Sequence, residues 1–227
     1  MKIKIAASIL AANPLQLEKD VNMAQDAGID LIHVDVMDGH FVPNLTIGPF
    51  IVAGLKRIAR VPMGLHLMVE YPSKFIAPFR EVANEGDFFE FHVESKDDPG
   101  QVIRQAKEAG FRTAIAINPP THQGSVEEFL GEVDMLLVMS VNPGFAGQKF
   151  IPDVLPKLRH LRDRAPEGLD IEIDGGINEK NVADVARDGA NVIAAASAIF
   201  KADDPSQAVR NLRRLAEEAS QLTVEGG

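Results

Sequence analysis

The chain has 227 residues, enough to bury a sizeable core, and fits one barrel-sized domain as well as two small ones. Its formal charge of −10 argues against non-specific binding to nucleic acid, and it means that an anionic substrate must be held by local donors rather than by the field of the whole protein. With no cysteine, disulfides and thiolate ligands are excluded, so any metal must use histidine and carboxylates.

Met1-Lys-Ile-Lys-Ile5 lacks the apolar core of a signal peptide, and no apolar run approaches membrane length, so the expectation is a soluble, cytoplasmic protein without a membrane partner. Ile3 to Ser8 reads as a short strand, and Asn13-Pro14 followed by Leu15, Leu17, Val21 and Ala24 as a capped helix with proline at its first position. A buried strand, Leu31 to Val36, leads through a long loop to a helix from about Pro49 to Ala59. Val61 to Met68 is followed by a helix over Pro72 to Asn84. Phe88 to Val93 is followed by one over Pro99 to Ala109, and Arg112 to Ile117 by one around Val126 to Gly131. Asp134 to Ser140 leads to a helix near Ile151 to Arg164, Leu169 to Asp174 to one over Glu179 to Asp188, and Asn191 to Ala196 to a last helix from Pro205 to about Leu222.

These are eight strand and helix pairs whose strands are too apolar to have a solvated face, the pattern of parallel strands covered by helices. The expected fold is α/β, a single (β/α)8 TIM barrel over residues 1–222, with a frayed tail at 223–227. In such a barrel function collects at the C-terminal ends of the strands. Because strand side chains alternate between faces, His33, Asp35 and Met37 look to one side; His66 and Asp174 end two other strands. Two histidines and two aspartates suit one divalent cation of the Zn, Fe, Mn or Co type. Met37, Met68 and Met139 would form an apolar ceiling beside it. Asp38 falls outside that parity and reads as a loop cap. His40, His122 and His160 read as solvated or structural. His92, flanked by Glu90 and Glu94 on one face, reads as an interior polar layer or an outer partner of the metal ligands rather than a ligand. The glycine-rich Asn142-Pro-Gly-Phe-Ala-Gly-Gln148, with Gly175-Gly176 and Ala196-Ser197 on the two following loops, suits a phosphate cradle of backbone N–H groups.

The segments Ala7-Ser-Ile-Leu-Ala11, His33-Val-Asp-Val-Met-Asp-Gly-His-Phe-Val-Pro-Asn44, His66-Leu-Met-Val69, Met139-Ser-Val-Asn-Pro-Gly-Phe-Ala-Gly-Gln148, Asp174-Gly-Gly176 and Ser197-Ala-Ile-Phe200 together resemble the ribulose-phosphate 3-epimerase family. That resemblance implies a barrel enzyme interconverting D-ribulose 5-phosphate and D-xylulose 5-phosphate with one divalent metal. By position it implies His33, Asp35, His66 and Asp174 as ligands and Asp35 and Asp174 also as the proton-transfer pair. Ser8 and His66 would contact the sugar, and Gly144, Phe145, Ala146, Gly147, Gly175, Gly176, Ala196 and Ser197 would hold the phosphate. The family usually has glycine where this chain has Ala146 and Ala196. A reshaped cradle is therefore expected, which keeps a related ketose phosphate such as D-allulose 6-phosphate as an alternative substrate. Other readings fare worse. A Schiff-base aldolase needs a lysine on an inward strand position, a barrel decarboxylase motif needs lysine where Met37 stands, and a non-catalytic phosphosugar-binding barrel does not require both aspartates. His40 to Asn44, apolar in the middle, suits a lid over the site. Phe75, Ile76 and Phe79 suggest an outer face for homo-oligomer formation.

Overall fold

The computed structural model describes residues 2–224. Eight parallel strands close into a barrel in sequence order, β1 (Lys4–Ser8), β2 (Leu31–Met37), β3 (Met63–Met68), β4 (Phe88–His92), β5 (Arg112–Ile117), β6 (Met135–Met139), β7 (Asp170–Asp174) and β8 (Val192–Ala195), with β8 pairing back onto β1. The outward residues of each strand, such as Ile5, Ile32, Leu65, Phe89, Ile115, Leu136, Ile171 and Ile193, are fully buried under the helices and form the main core. Strands buried on both faces explain why the sequence shows apolar runs rather than alternation.

Nine helices cover them among the described residues: α1 (Leu17–Asp26), α2 (Pro49–Lys56), α3 (Ile76–Val82), α4 (Pro99–Glu108), α5 (Gly124–Glu127), α6 (Leu155–Arg164), α7 (Val182–Arg187), α8 (Ser197–Phe200) and α9 (Pro205–Val224). Several are shorter than expected, for local reasons. The helix expected from Pro72 opens as a 3-10 turn over Pro72–Phe75, and α3 begins anew at Ile76, which places Pro78 in a first turn where its missing N–H costs nothing. The helix expected around Val126 to Gly131 is a single turn, α5. The last helix runs on to Val224; residues 225–227 of the expected tail lie outside those described. Phe75, Ile76 and Phe79 do not form an outer face. Ile76 and Phe79 are buried and Phe75 packs partly buried against the same core, because this stretch covers β3 and β4.

Inside the barrel the side chains stack in layers. Leu31, Phe88, Met135 and Val192 plug the N-terminal end, helped by Arg112 over the Phe88 ring and a Lys4–Asp170 ion pair of 2.5 Å. Above them lie His33, Glu90 and Glu172, all completely buried. Ser8, Asp35, His66, His92, Met139 and Asp174 form the layer at the C-terminal mouth.

Candidate active site

Strand parity and register bring the four expected ligands together. The Asp35↔His66 pairing of β2 with β3 sets two of them side by side, His33 rises from one layer below, and Asp174 ends β7. His33 Nε2, His66 Nδ1 and Asp35 Oδ1 form a triangle with edges of 3.2, 3.1 and 3.3 Å, and Asp174 Oδ2 lies 4.0 Å from His33 Nε2. One ligand atom from each residue falls within 4.8 Å of all the others. A tetrahedral ion with bonds of about 2.0–2.1 Å needs ligand atoms about 3.3 Å apart. The edges of the triangle match that spacing, so the residues fit a divalent metal of the expected type.

The surroundings hold these side chains in place. Ser8 Oγ donates to Asp35 Oδ2 at 2.8 Å, and the Asp35 carbonyl accepts from Thr46 Oγ1 at 2.5 Å. His33 Nδ1 faces Glu172 Oε1 at 3.0 Å, and His66 Nε2 faces His92 Nε2 at 2.8 Å. Ser140 Oγ donates to the carbonyls of Asp174 and Gly175, fixing the end of β7.

Electrostatics separate the two carboxylates. Burial acts to raise the Asp35 pKa, but the His33 charge and the hydrogen bonds from both histidines overcome it, and Asp35 lies below the ordinary carboxylate range. Asp174 goes the other way, pushed up to about 7 by burial, with Asp35 and Glu172 adding to the rise against His33. Burial depresses His66 to about 3, whereas His33, although burial acts to lower it, is raised well above its ordinary value by Asp35 and Glu172. Two neighbouring carboxyls with pKa values driven apart are what an acid and base pair requires.

Above the cluster opens a cavity of about 380 Å³. Ser8, Asp35 and Asp174 lie on its wall, with Met37, Met68 and Met139, then Gly144 to Gly147, Gly175, Gly176, Ala196 and Ser197. Of the residues expected to touch a sugar phosphate, all but His66 line this space; His66 is fully buried beside Asp35. Glycine is obligatory at 175 and 176. Both have positive φ, and a Cβ would come within 2.7 Å of Val141 and 2.5 Å of the Phe150 nitrogen. Ala146 and Ala196 make no such demand. Among the described residues no non-glycine has positive φ, so neither alanine takes the left-handed conformation that alanine tolerates poorly, and each adds a methyl group to the cavity wall. The loop after β2 crosses the mouth, where Asn44 Nδ2 donates to the Gly144 carbonyl at 2.8 Å, Val42 is buried and the Phe41 ring packs against His92, tilted by 43° with ring centroids 4.9 Å apart.

The sequence model of the Ribulose-phosphate 3 epimerase family matches residues 4–200. The chain belongs to this family. Curated ribulose-phosphate 3-epimerases are similar to it over nearly their whole length: that of Methanocaldococcus jannaschii is 44% identical, covering 96% of this chain and 92% of its own, and that of Synechocystis is 41% identical, covering 98% of both. The family makes the chain an isomerase. Among solved structures, 3-hexulose-6-phosphate synthase from Salmonella typhimurium (TM-score 0.70, 19% identity, 96% of this chain and 100% of that one) and orotidine 5'-phosphate decarboxylase from Pyrococcus horikoshii (TM-score 0.69, 15% identity, 94% and 99%) share the barrel. Among the described residues, no helix is long and apolar enough to cross a membrane.

The remaining candidates fall where their chemistry places them. Asp38 accepts from the N–H groups of His40, Phe41 and Glu70, a loop clasp. His40 is exposed, His122 accepts from the Gly124 N–H, and His160 on α6 pairs with Glu127 at 2.7 Å. Sequence reasoning missed Glu172. The signal was present in Asp170-Ile-Glu172-Ile-Asp174, whose alternation puts a second carboxylate on the same side as Asp174, one layer deeper.

Proposed function

We propose that this isomerase interconverts D-ribulose 5-phosphate and D-xylulose 5-phosphate by removing the C3 proton on one face and returning a proton on the other. The observation that carries the reading is the placement of Asp35 and Asp174. They reach one ligand cluster from β2 and β7, which stand three strands apart around the ring, and their pKa values are driven in opposite directions. His33, Asp35, His66 and Asp174 would hold the divalent cation, Zn, Fe, Mn or Co, which when bound supplies Lewis-acid stabilisation of the charge that develops beside C3.

The chain's own groups do the rest. One aspartate takes the C3 proton as general base, and the other, protonated, gives a proton to the opposite face; in the reverse direction the roles exchange. Ser8, donating to Asp35 Oδ2, keeps that carboxylate oriented and lies within reach of the sugar. Met37, Met68 and Met139 give the reacting centre an apolar wall, and Phe41 and Val42 close it from water. Backbone N–H groups of Gly144 to Gly147, Gly175, Gly176, Ala196 and Ser197 receive the phosphate, supplying the local donors that a chain of charge −10 needs. Homo-oligomer formation stays part of the proposal, but not through the buried face of α3.

Turnover followed by NMR tests the assignment. Metal-loaded protein should convert ribulose 5-phosphate to xylulose 5-phosphate with a kcat/KM well above that for D-allulose 6-phosphate. Faster turnover of the hexulose would reassign the substrate, and no turnover of either would leave a binding barrel.

A further inference from the structure

The outer nitrogens of the two histidine ligands are treated differently. His33 Nδ1 meets a carboxylate directly, Glu172, at 3.0 Å. His66 Nε2 meets another imidazole, His92 Nε2 at 2.8 Å, whose far nitrogen Nδ1 lies 3.1 Å from Glu94 Oε2. Both rings are fully buried, their centroids 5.0 Å apart, and Phe41 covers His92. Glu94 Oε1 is already occupied, accepting from the Asn118 N–H at 2.8 Å. Burial acts to raise the Glu94 pKa, but its hydrogen bonds from His92, Thr121 and Asn118 outweigh that and hold it below its ordinary value, so it is a carboxylate, an acceptor only.

We propose that Glu94, acting through His92, is a positioning residue that fixes the tautomer of His66 and so keeps Nδ1 free to ligate. Two neutral imidazoles in contact share their protons in one of two directions. If His92 donates Nδ1–H to Glu94, its Nε2 is bare and accepts Nε2–H from His66, leaving His66 Nδ1 open toward Asp35 Oδ1, 3.1 Å away. If the direction is reversed, His66 carries its proton on Nδ1, donates it to Asp35, and cannot bind a cation. Asp35 and Glu94 thus pull on opposite ends of one two-state chain. Only a carboxylate at Glu94 favours the ligating state while also satisfying the Asn118 N–H. In Glu94→Gln the amide oxygen goes to Asn118, its NH₂ then faces His92 Nδ1, and the chain reverses.

The proposal rests on the cation site described above, and the experiment separates the two. Zinc is titrated into metal-stripped full-length protein at pH 8.5, where unperturbed imidazoles are neutral. Less than one zinc per chain in the wild type would sink the cation site itself. In zinc-loaded wild type, long-range ¹H–¹⁵N spectra should show His92 protonated on Nδ1 alone; a proton on His92 Nε2 overturns the relay even if no variant folds. Glu94→Gln should weaken zinc binding about 10–100-fold. In a His92→Phe background, where no relay exists, the same substitution should change the zinc Kd less than about twofold. An unchanged Kd in the first case, or an equal loss in both backgrounds, would show that Glu94 does not act through His92.

Discussion

Gly64 on β3 lies against Glu90 on β4 so closely that a Cβ at position 64 would stand 2.2 Å from Glu90 Oε1 and 3.1 Å from its Cδ. The missing side chain is what lets a complete glutamate lie inside the barrel, beneath the ligands. Gly64→Ala should push Glu90 toward Glu172 and His33 and destabilise the fold by about 1–3 kcal/mol. Thermal unfolding of the metal-free protein checks it, at about 2–4 °C per kcal/mol for a chain of this size. The cost should shrink when Gly64→Ala is made in a Glu90→Ala background; an undiminished loss would place the clash elsewhere.

Glu90 itself is raised well above its ordinary pKa, first by burial and then by Glu172, with both of its oxygens lacking a hydrogen-bond partner. The unfolded chain ionises near the ordinary value of 4.5, while the folded chain keeps the proton, so stability falls as pH rises from there toward the raised value. Glu90→Gln mimics the protonated acid and has nothing to lose. Its Tm in metal-free protein should match the wild type near pH 4.5 and exceed it increasingly at higher pH. A difference that shrinks with rising pH would mean that Glu90 is charged in the fold.

The barrel and the clustering of His33, Asp35, His66 and Asp174 were legible because both rest on periodicity. Alternating strands fix which residues point inward, and His33, Asp35, His66 and Asp174 share that parity at strand ends. The outer hydrogen bonds were only half legible. Glu90, His92 and Glu94 could be grouped on one face, but whether His92 turns toward His66 depends on the shear between β3 and β4, which no single strand encodes. Phe75, Ile76 and Phe79 misled because an apolar helix face reads the same whether it covers a barrel or a partner.

Cation affinity should fall with acidity. In metal-free protein Asp174 titrates at about 7 and His33 well above its ordinary value, so both carry protons that must leave before they can ligate. Zinc binding should therefore weaken about tenfold per pH unit for each proton displaced as pH drops below about 7. Calorimetry in two buffers of different ionisation enthalpy counts the protons directly. Release of none at pH 6.5 would contradict the assigned protonation of both groups.

The cradle can be probed with charge. Ala196 closes one wall of the cavity immediately before α8, at φ −106° and ψ −87°. Ala196→Glu puts an anion where the phosphate is assigned, so KM for the phosphorylated sugar should rise at least tenfold while thermal stability changes little. An unchanged KM would move the phosphate to another part of the cavity.

The two-carboxylate mechanism makes a directional prediction that a single-base mechanism does not. If Asp35 and Asp174 each serve one epimer, Asp174→Asn should abolish exchange of the C3 hydrogen with solvent from one sugar. From the other, the remaining aspartate should still remove the proton and return it to the same face, so slow exchange survives without net epimerisation. Asp35→Asn should give the mirror pattern. Both residues also belong to the ligand cluster, and losing one weakens cation binding as well as proton transfer, so each variant must first be shown to hold a full complement of metal. Run in D₂O on such protein, the experiment reads deuterium at C3 for each substrate and each variant. The reciprocal pattern assigns one face to each carboxylate, whereas equal loss of exchange from both sugars in both variants would leave Asp35 and Asp174 as ligands and require a different base.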